Sequence, residues 1–84
     1  MDDTTRFSAG YAEENFQRIV PGMSKAQVLA LIGEALTKTS TSHNDVSEIW
    51  RYSQGAADRN YWFRIVSFGS DGKVVAQEAK YFVG

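Results

Sequence analysis

Residues 21–33 carry both the start and the stop signals of a short helix, and this stretch constrains the fold more than any other. Ser24 can cap the helix, because its hydroxyl can accept a hydrogen bond from an unpaired amide of the first turn. Gln27 can complete a capping box, and Gly33 supplies the left-handed residue at which helices stop. A helix of about nine residues is marginal alone in water and must pack on something. The apolar face available for packing consists of Val28, Leu29, Leu31 and Ile32.

A second amphipathic pattern precedes this stretch and predicts a helix over residues 8–19, where apolar side chains recur at helical spacing. Pro21 pushes Val20 toward extended geometry, which ends the first helix and leads into the second. The two helices form a helix-turn-helix pair. The start of the second helix offers only Lys25 and Gln27 to a nucleic acid, so packing explains the pair better than DNA binding does.

The remainder of the chain predicts strands. Apolar and aromatic runs predict strands over residues 46–53, 61–68 and 74–83, and the longest run, 61–68, is expected to be central. Residues 34–45 are dominated by Thr and Ser and predict a loop or a short edge strand. Residues 53–59 are expected to form a hairpin loop.

The glycine-rich turn between the last two strands allows a register to be proposed. With Gly72 in the left-handed position of a three-residue loop, Phe68 faces Val74 and Arg64 faces Glu78. Opposite charges across two strands stabilise a sheet by a few tenths of a kcal/mol to ~1 kcal/mol. We expect the helix pair to cover the face that carries Phe68 and Val74.

Together these elements predict an α+β fold of two layers, in which the N-terminal helix-turn-helix pair packs on one face of a three- or four-stranded antiparallel sheet. The 84 residues, 43% of them hydrophobic, fit one small globular domain. We predict a flexible tail over residues 1–7 and a single domain over residues 8–84.

The composition argues against several function classes. The absence of cysteine excludes a disulfide scaffold, thiol catalysis and cysteine-based zinc sites. A net charge of -1 with scattered Lys and Arg argues against a nucleic-acid partner. No apolar run approaches the ~18 residues of a membrane span, so a membrane is expected as a partner only through an anchor absent from this chain. No nucleophile with an adjacent base, phosphate-binding loop or carboxylate pair is recognisable, so we predict no enzyme and no cofactor.

The sole histidine lies in a run that looks superficially catalytic. His43 and Asp45 are neighbours in one predicted loop, whereas the members of a triad converge from separate segments. A metal ion would need two further ligands, and no residues at a matching spacing supply them. We therefore predict no catalytic and no metal-binding residues.

The order of the short motifs resembles a known family. Ile-Val-Pro-Gly-Met-Ser at residues 19–24 leads into a helix, Trp-Arg-Tyr follows at 50–52, and a hairpin with Phe-Gly-Ser-Asp-Gly-Lys-Val ends at Val74. This order resembles the SmpA/OmlA family, which is the BamE-like outer-membrane lipoprotein domain, and the similarly built repeats of the β-lactamase inhibitor protein. The resemblance runs from about residue 16 to residue 75. Ala35 departs from the proline common in the family, and the lipid-carrying cysteine is absent.

The resemblance implies two helices on an antiparallel sheet and a non-catalytic role, because such domains bind other proteins in outer-membrane assembly or in inhibition. For a chain whose leader has been removed, it also implies a place on the periplasmic side of the cell envelope. We therefore expect a protein-interaction domain that serves cell-envelope assembly or stability. The alternatives are a small-ligand-binding module and an inhibitor-type domain that binds an enzyme.

The aromatic content points to where a partner binds. Eleven of the 84 residues are Phe, Tyr or Trp, which is more than one sheet face under two short helices can bury. Tyr and Trp dominate binding hot spots, so a leftover aromatic face suits a protein partner or self-association. The partner-binding candidates on this open face are Tyr61, Phe63, Ile65, Tyr81, Ile49 and Arg51.

Overall fold

The computed structural model describes residues 5–55 and 61–82 and, of Phe82, the backbone alone. Within these residues the protein is α+β, as the sequence predicts. Two short helices precede all four strands of an antiparallel sheet in the order β2-β3-β5-β6, and a small antiparallel sheet pairs β1 with β4. The elements are β1 (Thr5–Phe7), α1 (Glu13–Phe16), α2 (Lys25–Ile32), β2 (Thr37–His43), β3 (Val46–Arg51), β4 (Ser53–Gly55), β5 (Tyr61–Phe68) and β6 (Val74–Phe82).

The predicted capping box is present at the start of α2. The Ser24 hydroxyl accepts a hydrogen bond from the Gln27 amide at 3.1 Å, and the Gln27 side chain accepts one from the Ser24 amide at 2.8 Å. Gly33 ends the helix at a φ of 73°, in the region that favours glycine. Val28 and Ile32 are fully buried, so the predicted apolar face does pack on the sheet.

The first helix is much shorter than the prediction of residues 8–19. Helix α1 covers only Glu13–Phe16, and the residue at its N-cap, Ala12, has no side chain that could cap it. Before this helix the backbone bonds to another part of the chain, since the Ser8 amide donates to the carbonyl of Tyr52 at 3.1 Å. This contact holds the beginning of the predicted helix against the sheet in a non-helical conformation.

Strands β1 and β4 correct two further predictions. The tail predicted over residues 1–7 and the loop predicted over 53–59 are wrong where the structure describes them, because β1 and β4 form an antiparallel pair there. The rest of both predictions, residues 1–4 and 56–59, lies outside the described residues. The two segments lie far apart in the sequence, so the residues of neither segment alone predict that they pair.

The strands of the larger sheet follow the predictions closely. The Thr- and Ser-rich segment forms an edge strand, β2, and β5 lies between β3 and β6 as the predicted central strand. The last strand is described as far as Phe82, so the final residue of the predicted strand, residue 83, lies outside the described residues.

The predicted register holds at the turn and fails beyond it. Gly72 has a φ of 77° and Phe68 faces Val74, as predicted. A bulge at Val75 then shifts the pairing by one residue. We attribute the bulge to hydrogen bonds on the side of β6 away from β5. The Val74 amide donates to the carbonyl of Met23 at 2.8 Å, and the Val74 carbonyl accepts from the amide of Gly22 at 2.9 Å. These bonds turn the backbone groups of Val74 away from β5, and the pairing with β5 resumes after Val75.

The bulge reverses the faces of β6, because a shift of one residue moves every later side chain to the opposite side of a sheet. Arg64 faces Ala79 rather than Glu78, so the predicted ion pair between Arg64 and Glu78 is wrong. Tyr81 pairs with Trp62 and lies on the side of the helices.

The core lies between the helices and the face of β3 and β5 that carries Phe68, which confirms the predicted packing face of β5. Phe68 and Val66 are fully buried there. The buried cluster consists of Phe16, Ile19, Val28, Ile32, Trp50, Tyr52, Val66, Phe68 and Val74.

Ser24→Ala is expected to lower the free energy of unfolding by about 0.5 to 2 kcal/mol, because the amide of Gln27 loses its side-chain acceptor. Urea denaturation measures the change. Ser42→Ala, at an exposed position in β2, serves as the control and should be close to neutral. Equal losses in the two variants would show that the cap contributes nothing of its own.

Candidate functional site

Two aromatic side chains lie exposed and in contact at one end of the sheet. Trp62 on β5 and Tyr81 on β6 are cross-strand partners, and their ring centres are 4.5 Å apart. Each side chain remains 47% exposed, whereas the other tryptophan, Trp50, is 2% exposed in the core. Exposed Trp and Tyr in contact form a preassembled apolar surface with polar tips.

Arg64 supports this pair from within the sheet. It lies two residues after Trp62 on the same face of β5, and it is only 7% exposed. Its guanidinium carbon lies 5.5 Å from the Trp62 ring centre and 5.9 Å from the Phe16 ring centre. Its Nη1 donates to the carbonyl of Phe63 at 2.9 Å. The cation is therefore held between two rings, an arrangement that favours cation–π attraction.

The N-terminal segment supplies the counter-charge for Arg64. Glu13 accepts hydrogen bonds from the guanidinium at 3.1 and 3.3 Å, and the Tyr11 hydroxyl accepts one at 3.1 Å while donating to Glu13. The ring of Tyr11 stacks on Phe7 with 4.6 Å between the centres. We call Tyr11, Glu13 and Arg64 the arginine cluster; it ties the N-terminal segment to the middle of β5.

The arginine cluster keeps its charges and protons fixed near neutral pH. Burial opposes charge on Glu13, but hydrogen bonds from Tyr11 and Arg64 outweigh it and hold the pKa of Glu13 below its usual range. Burial and the neighbouring Glu13 raise the pKa of the Tyr11 hydroxyl. Burial also opposes charge on Arg64, yet its bonds to Glu13 and Tyr11 raise its pKa. Each of these shifts moves a pKa further from pH 7, so Glu13 and Arg64 stay charged and Tyr11 stays protonated at that pH.

The structure separates one of the predicted partner-binding residues from the others. Tyr81 lies on the helix side, so its assignment to the open face is wrong. The open face is the face of the sheet opposite the helices. The predicted residues that lie on it are Tyr61, Phe63, Ile65, Ile49 and Arg51.

The open face presents charged side chains over its apolar residues. Phe63 and Ile65 are 9% and 8% exposed, although they lie outside the core cluster under the two described helices. The guanidinium of Arg51 lies over the Phe63 ring at 5.5 Å, and Lys80 and Glu78 stand opposite Phe63 and Ile65 on β6. Long charged side chains commonly shield apolar surface with their methylene stems. The sequence predicts an exposed apolar patch at Phe63 and Ile65, but little of either side chain is exposed in the structure.

Sequence reasoning missed Trp62 as a functional candidate. Its alternation with Val66 and Phe68 assigns it to the helix-covered face, and this face is correct. The pattern does not show where along this face the covering helices end. The helices are short, with four and eight residues, and the end of β5 at Trp62 extends beyond the core.

A polar groove lies away from the aromatic pair, between the turns that join β2 to β3 and β5 to β6. Its volume is about 500 Å³, and its lining includes Thr41, Asn44, Asp45, Gly69, Asp71 and Val75. In the described part of the chain, no three His, Asp or Glu side chains come together as a metal site would require. His43 is exposed near the end of β2.

Neither helix of the described residues has the length and apolar character needed to cross a membrane. Comparison with models of protein families, with curated proteins and with solved structures gave no significant match in any of the three. The resemblance to the SmpA/OmlA family therefore stays a prediction that rests on the short motifs of the sequence.

Proposed function

We propose that this protein is a non-catalytic protein-interaction domain whose contact surface centres on Trp62 and Tyr81. The observation that carries the proposal is the contact between two half-exposed aromatic rings. Removing apolar area from water contributes roughly 25 cal/mol per Å², and Trp and Tyr are over-represented among residues that dominate binding. A protein partner that covers both rings gains this contribution.

The pair is also held in place before a partner arrives. Trp62 is fixed by its strand, by the guanidinium of Arg64 and by a hydrogen bond from its backbone amide to the Thr5 hydroxyl at 2.9 Å. Tyr81 is held against Trp62 across the two strands. Because the contact between the rings already restricts both side chains, less rotamer freedom is lost on binding than for two separate exposed rings.

Two features limit the other candidate functions. The groove between the turns is lined largely by hydroxyl, amide and carboxylate groups, whereas sites for small molecules are mostly apolar. The arginine cluster contains no group whose pKa moves toward neutrality, as acid–base catalysis would require. The motif order supports, as part of the proposal, a binding role on the periplasmic side of the cell envelope.

Photo-crosslinking tests the contact surface. A benzophenone side chain in place of Trp62 keeps an aromatic group and is expected to trap one protein partner in cells that produce this chain. Adding Tyr81→Ser should reduce the trapped yield about tenfold, as for a hot-spot residue. Val20→Ser is the matched control, because Val20 is 52% exposed in the loop before α2.

The same experiment can refute the proposal. A benzophenone at Val20 should trap no partner in common with the one at Trp62. If no protein is trapped at Trp62, or if Tyr81→Ser and Val20→Ser reduce the yield equally, the two rings do not form the contact surface.

A further inference from the structure

Strand β6 presents an outer edge to which no strand of the described residues pairs. The beginning of this edge is covered, because the backbone of Val74 bonds to Gly22 and Met23 in the loop before α2. From residue 75 to residue 82 the described chain leaves the edge open. Such an edge can accept a further strand.

The direction of the β6 backbone groups follows from the bonds that β5 makes on its other side. The Arg64 carbonyl accepts from the Tyr52 amide at 2.9 Å, and the Arg64 amide donates to the Ser53 hydroxyl at 2.8 Å. The backbone of Arg64 therefore faces away from β6. Since backbone groups alternate along a strand, those of Phe63 and Ile65 face β6.

The same alternation identifies the open groups of β6. Phe63 pairs with Lys80 and Ile65 pairs with Glu78, so the backbones of Lys80 and Glu78 are turned toward β5. The residues between and beside them turn their amides and carbonyls outward. These outward-facing residues are Gln77, Ala79 and Tyr81.

We propose that two copies of this chain pair antiparallel along β6, with Ala79 facing Ala79 of the second copy. In this register Gln77 faces Tyr81 of the second copy, and the outward backbone groups meet in about six hydrogen bonds. Glu78 then faces Lys80 of the second copy, and the two-fold symmetry produces this pair twice. The inference does not depend on the proposed function of the aromatic pair.

Charge selects this register among those that align the same backbone groups. Centring the pair on Glu78 or on Lys80 would set two like charges directly opposite each other, which is destabilising. In the proposed register the opposite charges occupy the positions without hydrogen bonds, where side chains across two strands are closest. Within one copy Glu78 and Lys80 already meet at 3.5 Å, both half exposed, and the pairing extends this into a group of four charges.

The pairing would make one sheet of eight strands with both helix pairs on the same side, as an antiparallel edge contact with two-fold symmetry requires. Charges on an edge strand can also serve to prevent pairing, and a run of one sign would repel a second copy. This edge carries one charge of each sign at a spacing that is complementary to itself.

Sedimentation equilibrium tests the proposal over concentrations from about 1 μM to about 1 mM, a range that covers weak to moderate dimers. We expect the mass to rise from that of the 9.4 kDa chain toward twice that value. Lys80→Glu and Glu78→Lys should each raise the dissociation constant at least about tenfold, because like charges then face each other. The double exchange of both residues should restore the dimer.

Mixing the two single variants gives the sharpest result. Each is expected to be monomeric alone, and together they should form a heterodimer, because the one edge is then wholly acidic and the other wholly basic. Lys73→Glu, at an exposed position in the turn before β6, makes the same change of net charge and should leave the dimer intact.

Ala79→Pro removes an outward amide without touching the ladder to β5, so it should abolish the dimer while the far-UV spectrum stays unchanged. The mass of a single chain at every concentration overturns the proposal. So does a dimer that persists in both Lys80→Glu and Ala79→Pro.

Discussion

Phe68→Ala is expected to lower the free energy of unfolding by about 3 to 5 kcal/mol. The side chain is fully buried, and its ring centre lies 4.5 Å from that of Trp50 in the middle of the core. Its removal loses the transfer energy of the ring and leaves a cavity that the surrounding residues close only in part. A domain of this size has a total stability of about 4 to 12 kcal/mol, so the variant should be close to unfolding.

Phe63→Ala is the matched control for this result, because it removes the same side chain from the same strand on the opposite face. Phe63 is shielded by charged side chains rather than packed in the core, and flexible stems can close part of the gap. We therefore expect a smaller loss in guanidinium denaturation. Equal losses of unfolding free energy would mean that packing on the open face stabilises the fold as much as the core under the helices does.

Arg64→Ala is expected to cost about 2 to 3 kcal/mol, the second-largest effect we anticipate. Breaking a fully buried ion pair typically costs ~3 to 5 kcal/mol, and the half-exposed side chain of Glu13 reduces this. The variant also loses the contacts that the Arg64 guanidinium makes with the rings of Phe16 and Trp62. Arg64→Met retains an unbranched stem between the rings, so its loss should be smaller.

The pH dependence separates the ion pair from the packing. The pKa of Glu13 is lowered in the folded protein, so the stability that its charge contributes is complete above the usual carboxyl value of 4.5 and is lost as the pH falls through the lower folded value. The difference in unfolding free energy between the wild type and Arg64→Met should therefore narrow in acid. A difference that stays constant from about pH 7 to about pH 3 would assign the whole effect to packing.

The parts of the fold that the sequence predicts correctly are those that local chemistry determines. The cap at Ser24, the stop at Gly33 and the left-handed Gly72 each depend on a few neighbouring residues. The long apolar run of β5 likewise identifies a central strand without further information. In each case the physical cause lies within the segment itself.

The errors arise where a distant segment decides the local structure. The bulge at Val75 follows from bonds between Val74 and the loop before α2, and this reverses the face of Tyr81. The first helix does not begin at Ser8 as predicted, because the Ser8 amide bonds to the carbonyl of Tyr52. The pattern of apolar residues within each segment predicts neither the bulge nor the later start of the helix.

The candidate site was only partly predictable for the same reason. Aromatic content indicates a binding surface, but the position of that surface depends on where the helices stop covering the sheet. Arg64 stands within an apolar run, and a charged residue there is usually assigned to solvent. Its burial requires Glu13 and Tyr11 from the other end of the chain.

The pairing of β1 with β4 has a consequence for the order in which the chain assembles during synthesis on the ribosome. Helix α2 has its caps within its own sequence and can begin to form as soon as it emerges. Strand β1 emerges earlier, yet its main-chain partners at residues 53–55 are made much later. Closing so long a loop also carries an entropic cost that local contacts avoid. Among the described strands, the one that is synthesised first is thus among the last to pair, and Glu13 stays without its cation until Arg64 has followed.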